Sequence, residues 1–276
     1  MKTIKTLLVA ASMGIATLGA ASAVYAAGAP SEMPDGAMKH KKWSFNGPFG
    51  TYDKAAAQRG FQVYREVCAS CHALDQLAFR HLAEKGAPFY NKDFPNPNDN
   101  PLIKGFAAEY EIADIDGDDG SAITRPGIPA DKFPPVYAND IEAASVNGKP
   151  PPDLSVMVKA RGGGADYLYS LLLGYEYDMP ESMEGTVGVG SYYNPVMEGA
   201  VIAMPPQLVE GAIEYEDGTE ATKEQMAYDV TQFLAWSADP KLEQRKRVGF
   251  GTMFYLGILT ILLYLSYRQV WKDVEH

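Results

Sequence analysis

Both cysteines of the 276-residue chain fall in one pentapeptide, Cys68-Ala69-Ser70-Cys71-His72. Three chemistries use such a pattern. A redox dithiol wants a βαβ setting and a thiol at the start of a helix. Here the pair closes a helical stretch, and His72 follows at once. A zinc site needs four donors, and the other histidines are His40, His81 and His276. Covalent haem needs only what the pentapeptide holds: two thiols to form thioethers with the vinyl groups, and an adjoining imidazole for one axial position on iron. An isolated motif of this kind arises by chance. A chain that commits both its cysteines to it makes haem the favoured reading.

Iron then takes a second axial ligand or keeps an open site. Candidates are His40, His81 and the methionines beyond the motif. His81 lies nine residues after His72, too close to cross a haem plane comfortably. Met204 stands in Ala200-Val-Ile-Ala-Met-Pro-Pro206, a short apolar run that prolines would hold rigidly. Met179-Pro180 is its nearest rival, followed by Met183. Most of the 11 methionines must be packing residues. The residues alone leave Met204 and Met179 both open. A thioether ligand favours reduced iron and raises the potential, which suits an electron carrier. Neither a nucleophile–base triad nor a phosphate loop is visible; glycines 162–164 lack the preceding strand and the following Lys-Ser/Thr.

The elements that position these residues are helices and long loops. Asp53 opens a helical pattern, DKAAAQRGFQVYREV, whose apolar face holds Ala57, Phe61, Tyr64 and Val67. A second helix is expected from Asp153 to Arg161, and a third from Asp166 to Leu173, ended by Gly174. Thr222 and Gln225 resemble a capping box. Met226, Val230, Phe233 and Leu234 then recur at helical spacing until Asp239-Pro240. Residues 86–152 and 175–220 read as Pro-, Gly- and Asn-rich loops without a strand ladder. Loops of that length wrap or bind something. Asp114, Asp116 and Asp118 share the spacing of the first EF-hand ligands, but Asp119 and Arg125 occupy positions that need Gly and Glu, so this stretch is expected to be a solvated loop.

Residues 1–26 carry a basic start, an uncharged Ala- and Leu-rich run and small residues before Ala23 and Ala26. That is the layout of a cleaved export signal. At the other end, Val248 to Tyr267 form 20 uncharged residues, about 30 Å as a helix and enough to cross a bilayer core. Four segments are expected: a signal over 1–26, an exported domain over 27–244, an anchor with a basic flank over 245–267 and a tail over 268–276. More Lys and Arg precede the anchor than follow it, so the positive-inside count opposes the orientation that export implies. The net charge of −11 is diluted by the ends: residues 27–244 hold 17 Lys and Arg against 33 Asp and Glu, a formal charge of −16. Nucleic acid is excluded as a partner by that balance. A single-sign field instead steers a basic protein partner.

These residues together resemble the cytochrome c1 family, the haem subunits of quinol–cytochrome c oxidoreductases (bc1 complexes). The resemblance is carried by Gly60-Phe-Gln-Val-Tyr-Arg-Glu-Val-Cys-Ala-Ser-Cys-His-Ala-Leu74, Arg125-Pro-Gly and Asn147-Gly-Lys-Pro-Pro-Pro-Asp-Leu-Ser155. Lys159-Ala-Arg-Gly-Gly-Gly-Ala-Asp-Tyr167, Asn194-Pro195, Ile202-Ala-Met-Pro205 and the C-terminal anchor complete it. It implies a mostly α fold, a class I cytochrome c-like haem domain with long loop insertions, plus one C-terminal transmembrane helix. It implies one covalent haem c on Cys68 and Cys71, with His72 and Met204 as axial ligands and Arg161 beside a propionate. Tyr167 would stand near the haem, and Pro151 and Pro152 would help form the pocket wall. Implied partners are cytochrome b and a Rieske iron–sulfur protein in a dimeric complex, and a c-type cytochrome as electron acceptor. The implied location is a bacterial inner membrane, with the haem domain on the periplasmic side. The chain would be a redox subunit and not a catalyst by itself. Some photosynthetic bacterial relatives carry an extra disulfide after the Pro-Pro-Asp-Leu-Ser stretch; this chain has no cysteine for it, so packing must hold that loop. A free-standing anchored cytochrome is the alternative of the same chemistry. A peroxidase, with an open sixth site, is the alternative of another class.

Overall fold

The computed structural model describes residues 33–273; the signal expected over 1–26, residues 27–32, and the last three residues, His276 included, lie outside the described residues. In chain order the helices are α1 (Lys54–Val63), α2 (Pro101–Ala108), α3 (Asp140–Asn147), α4 (Met157–Ala160), α5 (Gly164–Leu173), α6 (Lys223–Ala238) and α7 (Leu242–Val270). Two short antiparallel ladders join β1 (Glu111–Ile115) to β2 (Ala122–Pro126) and β3 (Tyr192–Tyr193) to β4 (Val201–Ile202). The fold is mostly helical with long connecting loops, as the sequence pattern implies. The chain divides into two compact units. The first takes residues 33–41, 137–152 and 157–227; the second takes 42–136, 153–156 and 228–273.

In the second unit, α1 starts where Asp53 accepts the Ala56 N–H at 3.0 Å, the bond an N-cap supplies. Its apolar face enters an aromatic core: the Phe61 ring lies 5.4 Å from Phe89, 5.1 Å from Phe106 and 5.4 Å from Phe233. Burying such a ring contributes about 1.5–3 kcal/mol. The α6 residues of this unit cross α1 at Gly60, where a Cβ would lie 1.9 Å from the Asp229 carbonyl oxygen. Beside the crossing Arg59 grips the fully buried Asp229 through two parallel bonds, Nε–Oδ2 at 2.9 Å and Nη2–Oδ1 at 3.0 Å.

The α-helix expected through Val67 ends at Val63. Tyr64–Cys68 form a π turn, closed by the Ala69 N–H on the Tyr64 carbonyl at 2.7 Å. Tyr64 is held too firmly to continue the regular winding: its ring packs against Phe133 and Phe233, and its hydroxyl is engaged further along the chain. The wider turn absorbs the mismatch, and Val67 is left half-buried.

Two expectations, one of a loop and one of a helix, are corrected in this unit. The acidic stretch forms a hairpin because its side chains build it. Arg125 pairs with Asp114 at 2.5 Å and with Asp131 through two bonds of 2.6 and 3.0 Å. Asp116 and Asp119 accept the N–H groups of Asp118 and Ser121, both at 2.8 Å, and so shape the turn. Asp153 does not open a helix. Its carboxylate accepts the Ser155 and Asp75 N–H groups, and α4 begins only at Met157. Finally α7, with 29 residues and a mean hydropathy of 1.9 in its most apolar window, is unburied and long and apolar enough to cross a membrane.

In the first unit, α3 is capped by Asn139, which accepts the Ile141 and Glu142 N–H groups at 3.0 Å each. The third expected helix appears as α5, two residues longer at its start. Leu171 of α5 packs with Ala37 and Val196 in a small core that Tyr167, Tyr177 and Ile202 border. The β3–β4 ladder interrupts the loop over 175–220, where no strand was expected. At the start of α6 the Gln225 N–H bonds the Thr222 hydroxyl at 3.1 Å, the cap bond that the anticipated capping box supplies.

Candidate haem-attachment site

The second unit carries Cys68, Cys71 and His72. They follow the π turn on one tight bend, in which the Cys68 carbonyl accepts both the Cys71 N–H at 3.1 Å and the His72 N–H at 2.9 Å. The His72 carbonyl in turn accepts the Tyr64 hydroxyl at 3.0 Å. His72 is therefore tied at both ends of its backbone. Burial holds the Tyr64 phenol well above its ordinary pKa, so it stays a donor. Burial likewise pushes the Cys68 thiol up to about 12, with Cys71 adding to the effect. A redox dithiol has a depressed thiol, the opposite condition. No disulfide joins the two cysteines.

Downstream of His72 the chain is laced to Asp153-Leu154-Ser155. The Leu154 N–H bonds the Ala73 carbonyl at 3.0 Å, the Asp75 N–H bonds Asp153 Oδ2 at 2.7 Å and the Gln76 N–H bonds Ser155 Oγ at 3.0 Å. Ser155 is fully buried, and its carbonyl accepts the Ser237 hydroxyl of α6 at 2.9 Å. His81 also lies in this unit. Its Nδ1 accepts the Ala78 N–H at 3.0 Å, and burial lowers its pKa, so it serves as a neutral local cap.

The first unit carries Pro151, Pro152, Arg161, Tyr167 and Met204. Met204, half-buried, follows β4, and its carbonyl accepts the Tyr175 hydroxyl at 2.8 Å. Tyr175 is itself bonded to the side chain of Asn194, and burial raises its pKa. Asn194 is fully buried: Nδ2 donates to the Leu171 carbonyl at 2.8 Å, Oδ1 accepts the Val196 N–H at 3.1 Å, and its own N–H bonds the Ala200 carbonyl at 3.0 Å. Gly174 makes room for it, since a Cβ there would lie 2.3 Å from Asn194 Oδ1. Met179, the rival ligand, is 42% exposed. Met183 is half-buried in the turn Glu181–Met183. His40 is 79% exposed in its side chain and is bonded to Asp166 at 2.8 Å.

Arg161 and Tyr167 meet through their side chains, and the Tyr167 hydroxyl contacts Met197 Sδ at 3.6 Å. Pro151 is half-buried and Pro152 exposed. The holding roles of Tyr64, Ser237 and Tyr175 escape a sequence reading, and Asn194 is visible only as part of a motif. Tyr64 and Tyr175 look like apolar-face or loop tyrosines, and nothing local announces what a hydroxyl will reach.

Two thiols on one bend and an imidazole with a fixed backbone fit the donor set of haem c attachment. Among the described residues, no three His, Cys, Asp or Glu side chains converge as a metal site.

A model of the family described as the cytochrome C1 family matches residues 43–274. The chain is 41% identical over 288 aligned positions to a protein of Rhodospirillum rubrum named cytochrome c1, covering 99% of this chain and 98% of that one. It is 42% identical to a Bradyrhizobium diazoefficiens protein named cytochrome b/c1, over 88% of this chain but only 36% of that longer one. A Saccharomyces cerevisiae protein named cytochrome c1, heme protein, mitochondrial, is 43% identical over 84% of this chain and 72% of its own length. The chain belongs to the cytochrome c1 family.

Proposed function

We propose that the chain is the one-electron carrier subunit of a quinol–cytochrome c oxidoreductase, with haem c attached through Cys68 and Cys71. His72 and Met204 are the axial ligands in this reading. The single observation that carries it is the binding of the His72 backbone at both its N–H and its carbonyl, directly after the two thiols. Haem bound there supplies a one-electron iron couple. The protein's part is to hold the imidazole and the thioether still, so that little reorganises when charge changes. Tyr64 does this for His72 and Tyr175 for Met204. Arg161, steadied by Tyr167, neutralises a propionate, and Pro151 and Pro152 wall the group off from water.

The electron comes from a Rieske iron–sulfur protein and leaves to a c-type cytochrome, while the complex couples quinol oxidation to proton translocation. Cytochrome b is the expected neighbour in a dimeric complex; a relative whose name joins b to c1 supports it. The surplus of acids over residues 27–244 suits a basic acceptor. Cleavage after Ala26 or Ala23 leaves the haem-bearing part on the periplasmic side of a bacterial inner membrane, single-pass, with residues 268–276 inside. The orientation rests on the export signal; the basic residues ahead of the span count against it, though two of them are engaged by the protein. Arg245 is paired with Asp239, and Lys246 donates to the carbonyls of Phe45 and Gly50.

Met204→Leu tests the ligand assignment. The reduced holoprotein is expected to be low-spin and indifferent to carbon monoxide. The variant should bind carbon monoxide and lose potential on the order of tenths of a volt, within the ~0.8 V range that axial ligands control. An unchanged spectrum and potential would move the ligand role to another residue, and ready carbon monoxide binding by the parent chain would favour an open-site haem enzyme.

A further inference from the structure

The loop over residues 43–52 returns to the apolar helix. Glu243, Lys246 and Phe250 of α7 are spaced three and four apart and share one face. Each meets the loop. Glu243 Oε1 accepts the Tyr52 N–H at 3.0 Å, and Lys246 Nζ donates to the Phe45 and Gly50 carbonyls at 2.6 and 3.1 Å. The Phe49 ring stands edge-on to Phe250, with centroids 5.5 Å apart. The tip is tightly turned: the Gly50 N–H reaches the Gly47 carbonyl at 3.4 Å, and a Cβ on Gly50 would lie 2.1 Å from the Asn46 oxygen.

Phe250 is four residues beyond Lys246, about 6 Å along the axis. It is the third residue of the uncharged run that begins at Val248. Phe49 therefore stands beside the membrane span and not beside its basic flank. Yet the ring is 74% exposed and that of Phe250 62% exposed. Two neighbouring apolar rings fixed at the start of a span suit the bilayer boundary, where aromatic side chains settle. Arg247 is exposed one residue before the run, where a cation suits anionic lipid headgroups.

We propose that the Pro48-Phe49 tip inserts into the membrane interface where α7 enters it, giving the second unit a loop-borne lipid contact besides its anchor. The occupant is lipid because the tip continues, with exposed apolar rings, a face of the helix that the anchor reading places in the bilayer. The inference rests on the anchor reading of α7. Lys246 and Glu243 make the loop part of the helix end, so the inserted tip resists rocking of the unit on its anchor.

The test uses the full-length holoprotein in vesicles of phosphatidylcholine and phosphatidylglycerol, spin-labelled at Phe49→Cys; Cys68 and Cys71 are taken up by haem and do not react. Collision rates with oxygen and with a water-soluble nickel chelate are compared with labels at Tyr255→Cys in the span and at the exposed Ile115→Cys of the β1–β2 hairpin. The oxygen-to-nickel ratio at Phe49 is expected to be several-fold above that at Ile115 and close to that at Tyr255. A ratio equal to Ile115, with Tyr255 still lipid-like, overturns the insertion alone. A water-like Tyr255 overturns the anchor reading with it. Shielding of Phe49 from both reagents means that protein covers the tip, and overturns lipid as the occupant. Should Phe49→Cys fail to take up haem, Pro48→Cys reports on the same tip.

Discussion

The unit that carries Cys68 and His72 and the unit that carries Met204 are framed by different physics. The first stands on crossed helices: α1 and α6 meet at Gly60 with no room for a Cβ, Arg59 and Asp229 are clamped in the interior, and Phe61 and Phe233 fill the core. The second stands on a two-residue ladder and on neutral hydrogen bonds from Tyr175 and Asn194. Failure of one contact in the helical half disturbs many others, because close-packed interiors transmit strain. The loop half depends on single bonds, and losing one costs little more than that bond.

The largest effect should come from the helix crossing. Gly60→Val places a side chain against the Asp229 carbonyl, and backbone cannot rotate away as a flexible side chain does. Overpacking costs about 1–3 kcal/mol where side chains adjust, and more is expected here. Asp229→Ala leaves the Arg59 charge, 18% exposed in its side chain, without its buried partner, at a cost of about 3–5 kcal/mol. Denaturant unfolding of the holoprotein in detergent measures both. Parent-like stability in either variant would break the contrast between the two halves.

Tyr175→Phe probes the other half and should do less. Removing the hydroxyl loses its 2.8 Å bond to the Met204 carbonyl and its bond to the Asn194 side chain, about 0.5–1.5 kcal/mol each. The global unfolding midpoint should move less than at the helix crossing, while the reduced haem becomes measurably more open to carbon monoxide. Should Tyr175→Phe destabilise the fold as strongly as Gly60→Val, the loop half is as cooperative as the helical one.

The same division explains what the sequence disclosed. Helical periodicity and caps reported α1, α5 and α6 because each repeats a local rule along several turns: Asp53 before the first, Phe61 and Phe233 on buried faces. The haem motif was equally plain, being contiguous. The hairpin was hidden, since Asp114 and Arg125 pair across eleven positions and look from the chain like dispersed charge. The π turn depends on where the Tyr64 hydroxyl ends up, eight residues away. The hold on Met204 comes from a tyrosine 29 positions earlier. Long-range single bonds leave no period to read.

Acid offers the smallest effect and the sharpest separation of the two frames. Arg125 hydrogen-bonds Asp131 and Asp114 and holds both carboxyls below their usual range. A depressed carboxyl stabilises the fold above its unfolded pKa of about 3.9, and that contribution vanishes as pH falls through the lower folded value. The frame around Met204 contains no such group, because Asn194 does not titrate and burial moves the Tyr175 phenol upward. Tyr175 contributes fully below about pH 10 and loses its contribution only as pH rises beyond that. Alkali does not discriminate, since Tyr64 in the helical half is raised in the same way. Lowering the pH from 7 towards 3 should therefore speed hydrogen exchange, corrected for intrinsic rates, at the β1 and β2 amides before it does so at residues 201–204. Arg125→Leu should abolish that pH dependence in the hairpin and leave the Met204 segment as it was. Simultaneous loosening of both segments in acid would show that the ion-paired frame and the neutral one are coupled after all.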